Sequence, residues 1–197
     1  MSSLAFPQLL RQARTALLLL LLATLVLGLA YPLAVLGVGR LVPGRADGQI
    51  VSAGGREVGS AIVGQAFEGE QWFTPRPSAA GDGYDPLASG ASNLGPENPD
   101  LLASVAERRA AAAAADGTAP ADVASDALTA SGSGLDPDVS PQYAQQQVAR
   151  VAAARGLGEQ QVADLVAAHV RGRSLGFLGE PRVNVLELNL ALQALRP

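Results

Sequence analysis

Thr15 to Gly39 is a run of 25 residues without a charged side chain, preceded by Arg11 and Arg14 and followed by Arg40. A helix rising about 1.5 Å per residue carries such a run over roughly 37 Å, enough to cross about 30 Å of hydrocarbon with some tilt. Leu17 to Leu22 is unbroken leucine. The helix is therefore apolar all round, which suits lipid rather than the core of a soluble domain. Pro32 removes one helical hydrogen bond, so the regular helix is expected from Ala16 to Leu36 with a kink at Tyr31-Pro32. A cleaved signal peptide is the competing reading, with Gly28-Leu29-Ala30 as small residues at a cleavage spacing. Against it, the apolar stretch continues to Val38, beyond the roughly 7–15 residues of a signal core.

The flanking arginines nearly balance, but the segment before the helix has no acid and is short. The expected organisation is a cytoplasmic stub at 1–14, a transmembrane helix at 15–39, a juxtamembrane linker at 40–55 and an extracytoplasmic domain at 56–197. The chain has 14 arginines, no lysine, 18 carboxylates, one histidine and no cysteine. From residue 46 on, ten arginines stand against all eighteen acids, a net charge of −8. Such an exterior repels nucleic acid and anionic lipid and suits cations or cationic partners. Without cysteine there are no disulfides, thiolate metal sites or thiol nucleophiles.

About 150 residues bury one ordinary core. Strands are expected at Gln49–Ser52 and Ser60–Gly64. Asn98-Pro99 reads as a helix start, with Leu101, Leu102, Val105 and Arg109 at helical spacing and Asp116-Gly117 as the stop. Ser140-Pro141 repeats that device, with Ala144, Val148, Val151 and Ala152 as a buried stripe ending at Gly156. A third helix is expected from Glu159 to Val170, with Arg171 and Arg173 complementing its dipole. The last begins at Asn184, where Asn184 and Glu187 resemble a capping box; Val183–Leu192 also nearly alternates as a strand would. Short strands among several helices imply an α+β domain behind one N-terminal transmembrane helix.

Leu128 to Pro137 is the densest unusual run. Glycines alternating with hydroxyl residues at Ser131-Gly132-Ser133-Gly134 suit either an anion cradle or a tight reversal before the Ser140 helix, and the run lacks a P-loop lysine. Trp72-Phe73-Thr74-Pro75-Arg76-Pro77-Ser78 reads as a core plug or an interface anchor. Ser89 to Pro96 reads as a turn-rich connection. His169 has no second histidine or cysteine to join it in a metal site or triad, and Arg150 suits a salt-bridged helix face or a phosphate contact.

These strings, together with Ser60 to Phe67 and Gly179 to Leu186 behind one apolar helix, resemble the C subunit of the Kdp-type potassium-transporting ATPase over nearly the whole chain. Two departures stand out: Asp138, where the family often has histidine, and the alanine-rich Ala110–Ala124. The resemblance implies a non-hydrolytic accessory subunit with no catalytic or metal-binding residues and no cofactor of its own. Its partners would be a channel-like potassium-binding subunit, a P-type ATPase subunit, a small single-helix subunit and the bilayer. Two roles are implied for it, a catalytic chaperone raising the ATP affinity of the hydrolysing subunit and a cap on the outer mouth of the potassium subunit. For ATP shared with that subunit, the candidates are Ser131, Gly132, Ser133, Gly134 and Gln147. For partner contacts they are Trp72, Phe73, Arg76, Asn93, Arg182 and Asn184. The alternative class is a membrane-tethered exported hydrolase or ligand-binding domain, for which the residues offer no nucleophile with a base beside it.

Overall fold

A computed structural model describes residues 5–195. It divides into two compact units, 1–48 and 49–197.

The first unit is a long apolar helix, Phe6–Leu41, of a length and composition able to cross a membrane. It extends beyond the expected Ala16–Leu36 at both ends, because nothing in the flanking sequence breaks it. Within it, α1 (Ala5–Leu25) passes through a π-helical turn at Val26–Ala30 into α2 (Tyr31–Leu41). The expected kink is met by that turn. Pro32 has no N–H for the Gly28 carbonyl and its ring would strike it, so the chain widens by one residue and Tyr31 N–H donates to Val26 O. A short α3 (Pro43–Ala46) follows.

The second unit opens with an antiparallel hairpin, β1 (Ile50–Ala53) and β2 (Arg56–Ser60), reversed at Gly54-Gly55, both at positive φ. The second strand thus precedes the expected Ser60–Gly64, of which only an isolated Ser60–Val63 bridge remains. Residues 61–98 contain no helix or named strand. α4 (Pro99–Asp116) starts as expected, with Asn98 accepting from Asp100 N at 2.8 Å, and stops at Gly117.

β3 (Asp138–Val139) leads to α5 (Pro141–Gln146), capped by Ser140, and α6 (Val148–Arg155), closed by Gly156. One helix was expected here. The break falls at Gln147, whose side chain is engaged elsewhere. α7 (Glu159–His169), β4 (Val170–Arg171), β5 (Arg182–Asn184) and α8 (Val185–Ala194) complete the chain, and β5 lies between β3 and β4, antiparallel to both. Val183 is therefore in a strand while the helix begins only at Val185, so each reading of 183–192 holds for part of it. Arg171 and Arg173 pair with Glu187 and Glu180 rather than serving only the helix end.

The fold is α+β. Its core gathers Phe73, Val148, Val151, Val162, Val183, Leu188 and Leu192, all essentially solvent-free. Each contributes about 1.5–3 kcal/mol of transfer free energy, and together they hold the helices against the small sheet.

Candidate functional site

Phe73 and Thr74 belong to no strand, so their backbone groups have no ladder partners, and Phe73 is fully buried. Two side-chain amides serve instead. Asn189 on α8 accepts from Phe73 N and donates to Phe73 O, each at 2.9 Å. Gln147 accepts from Thr74 N at 2.7 Å and donates to Thr74 O at 3.1 Å. Both amides are buried. Phe73 is thereby fixed as the core plug, one of the two readings its sequence left open.

Arg150 locks the same segment from α6. It pairs with Asp116 at 2.7 Å and donates to Glu70 O, Trp72 O and Gln147 Oε1. The salt-bridged reading of Arg150 is what the structure contains. Trp72 packs beside Phe67, ring centroids 6.2 Å apart, with the Arg155 guanidinium 5.3 Å from its ring.

The Ser131–Gly134 run is a tight reversal that ties three loops. Gly134, at φ +69, lies so close to Gly90 O and Ala80 N that a Cβ would come within 2.6 and 2.7 Å of them. Ser133 O accepts from Gly90 N and from the Ser89 hydroxyl, and Gly134 O accepts from Ser78 Oγ at 2.6 Å. Ser131 is buried, whereas Gly132 and Ser133 are exposed. Arg76 reaches back to Thr129 O and Ala130 O and pairs with Asp136 at 3.2 Å. Tyr84 donates to Arg76 O; burial, reinforced by Asp136 and opposed by Arg76, pushes its hydroxyl up to about 12.

Arg182 and Asn184 converge on Asp138 across the β3–β5 pair. Arg182 Nε lies 3.0 Å from Asp138 Oδ2, and Asn184 donates to Asp138 Oδ1 at 3.2 Å and to Ala61 O at 2.9 Å while capping α8. Burial raises the Asp138 carboxyl above its ordinary value, against the opposing pull of Asn184 and Arg182. Asn93 sits at φ +53 on an exposed loop and bonds Ala91 O. His169 bonds Leu165 O within its own helix.

The candidate residues therefore form several fixtures rather than one pocket. Arg76 bonds Thr129, Ala130 and Asp136 on either side of the Gly/Ser run, Gln147 bonds Thr74, and Arg182 and Asn184 both bond Asp138. Sequence reasoning passed over Asn189, whose signal was an asparagine in the otherwise apolar stripe Leu188-Asn189-Leu190, and Asp116, read only as a helix end.

A family model described as K+-transporting ATPase, c chain, matches residues 13–194. The chain belongs to the KdpC family. Relatives named potassium-transporting ATPase KdpC subunit include that of Kineococcus radiotolerans, 75% identical over 99% of this chain and 100% of the relative. Those of Rhodospirillum rubrum and Beijerinckia indica are 52% and 49% identical, over 93% and 95% of this chain and 95% and 96% of theirs. The resemblance noted in the sequence is thus membership of the KdpC family, and it takes in both units of the chain.

Proposed function

We propose that the chain is a non-hydrolytic accessory subunit of an ATP-driven potassium uptake complex, capping the outer mouth of the potassium-binding subunit. Family membership over residues 13–194 carries this reading. The apolar helix crosses the cell membrane once, with residues 1–14 in the cytoplasm and 56–197 outside. Its partners are the potassium-binding subunit, the P-type ATPase subunit and the small single-helix subunit, which it helps to assemble. The net −8 of residues 46–197 supports a place at a cation entrance, where acidic groups raise local cation concentration.

Two observations favour the cap over direct nucleotide contact. Both ends of the Gln147 amide are taken by Thr74, and Gly134 is packed against Gly90 and Ala80. With the domain outside, any effect on ATP affinity is a coupling free energy passed through the partner subunits.

Topology tests the proposal. Gly132 is exposed and a Cβ there meets nothing, so Gly132→Cys places a single thiol in a cysteine-free chain. Labelling by an impermeant maleimide in intact cells is expected. Labelling only after lysis would put the domain in the cytosol and remove the cap.

A further inference from the structure

One face of α4, carrying Arg108, Ala111, Ala112 and Ala115, lines a cleft of about 550 Å3 whose opposite wall is part of the 66–77 segment. The alanine-rich stretch is thus the wall of a cavity as well as a helix former. Three lining residues have donors left over. Arg76 Nε is buried and has no acceptor among the described residues. Tyr143 is 6% exposed, and its backbone N–H bonds Ser140 Oγ while its hydroxyl has no hydrogen-bond partner among the described residues. Arg108 donates to Leu128 O at 3.0 Å and has no carboxylate within ion-pair distance among the described residues.

These cations are gathered at one end. Arg108 donates to Leu128 O, and Arg76 donates to the next two carbonyls, Thr129 O and Ala130 O. Among the described residues Asp136 is the one carboxylate in ion-pair contact with either guanidinium, so two positive charges face one negative. This is a positive spot in an acidic domain. The other end is closed by Asp116 paired with Arg150, and a second acid, Glu70, lines the cleft beside that pair. Arg108 and Asp116 stand eight helical steps apart on α4, which gives the cleft a length of about 12 Å.

We infer that the cleft binds an organic carboxylate with an apolar body. Arginine offers paired N–H donors that match a carboxylate, and the alanine face with Pro75 and Phe67 accepts the hydrocarbon part. The alanines are essential to it, since larger side chains at 111, 112 and 115 would fill the space. The same chemistry comes from two sources, a free small carboxylate or an acidic side chain on an apolar segment of a partner subunit.

Benzoate is the probe, titrated into the full chain in detergent, with uncharged benzamide as its isostere. Benzoate is expected to bind saturably and at least tenfold more tightly than benzamide. Arg108→Gln is expected to weaken benzoate at least tenfold and leave benzamide binding unchanged, with the lost bond to Leu128 O lowering the unfolding midpoint only modestly. Equal binding of the two probes, or benzoate binding undiminished in Arg108→Gln, would overturn the inference. Ala112→Leu, which narrows the cleft without touching the charges, must weaken binding of both; undiminished binding also overturns it.

The source is read in the assembled complex with Ala115→Cys, an exposed position. A thiol protected from maleimide by assembly alone assigns the carboxylate to a partner segment. A thiol labelled in the complex and slowed by benzoate assigns it to a free ligand, and one labelled at the same rate with or without benzoate refutes the site. Because benzoate binding is measured on the chain alone, its failure leaves the outer-mouth cap standing.

Discussion

The side-chain amide of Asn189 exchanges two hydrogen bonds of 2.9 Å with the backbone of Phe73, 116 residues away in sequence. It does for Phe73 what a neighbouring strand would otherwise do, and Gln147 does the same for Thr74. A segment with no regular structure is thereby made part of the core.

Asn189→Leu should destabilise the domain by about 3 kcal/mol or more, because it orphans a buried N–H and a buried C=O at about 1–3 kcal/mol each. The denaturant midpoint of the full chain measures it. Ser92→Ala, on an exposed loop, should change the same midpoint by less than about 0.5 kcal/mol. A small effect for Asn189→Leu would mean that water replaces the amide.

The Asp116–Arg150 pair joins the end of α4 to α6 with both side chains nearly sealed from solvent, 4% and 9% exposed. Removing one partner leaves the other buried and unpaired, at a cost of about 3–5 kcal/mol. Arg150→Met alone should reach that range. Asp116→Leu together with Arg150→Met should recover part of it, and a double-mutant cycle gives the coupling. Additive losses would show that Arg150 acts through Glu70 O and Trp72 O rather than through the carboxylate.

What was legible in the sequence follows one physical division. The starts at Asn98-Pro99, Ser140-Pro141 and Asn184 were readable because a cap is made within three residues of itself. The α+β class followed from those helices and the short strands between them. The break at Gln147 was not readable, and neither was the partner of its side chain, Thr74, 73 residues away. β2 was misplaced because the Gly54-Gly55 reversal outweighs the apolar Ala61-Ile62-Val63 that drew the strand forward. Arg76 and the Gly/Ser run were each legible as unusual. That Arg76 and Arg108 share one end of a cleft depends on a fold-level juxtaposition.

Gly134→Ala tests the Gly/Ser run as a structural knot. Its φ of +69 is strained for alanine, and its Cβ would meet backbone atoms at 2.6 and 2.7 Å that cannot rotate away. A loss of about 2 kcal/mol or more is expected in the unfolding midpoint. Gly132→Ala, in open space two residues earlier, should be nearly neutral. Similar outcomes for both would show that the reversal is not held against Gly90 and Ala80.

Asp138 predicts a pH dependence of definite sign. Burial is the largest influence on its carboxyl and raises it above the ordinary 3.8, so the folded chain holds this proton more tightly than the unfolded chain. Its contribution to stability is therefore fully present below 3.8 and is lost as pH rises through the raised folded value. Asp138→Asn keeps an acceptor for Asn184 and removes the titration. The difference between parent and variant in unfolding free energy should thus change with pH in the window just above 3.8, the parent losing stability relative to the variant as pH rises. Taking the difference cancels the other carboxylates. A difference that ran the opposite way would mean that Arg182, 3.0 Å from Asp138, outweighs burial and holds the carboxylate ionised.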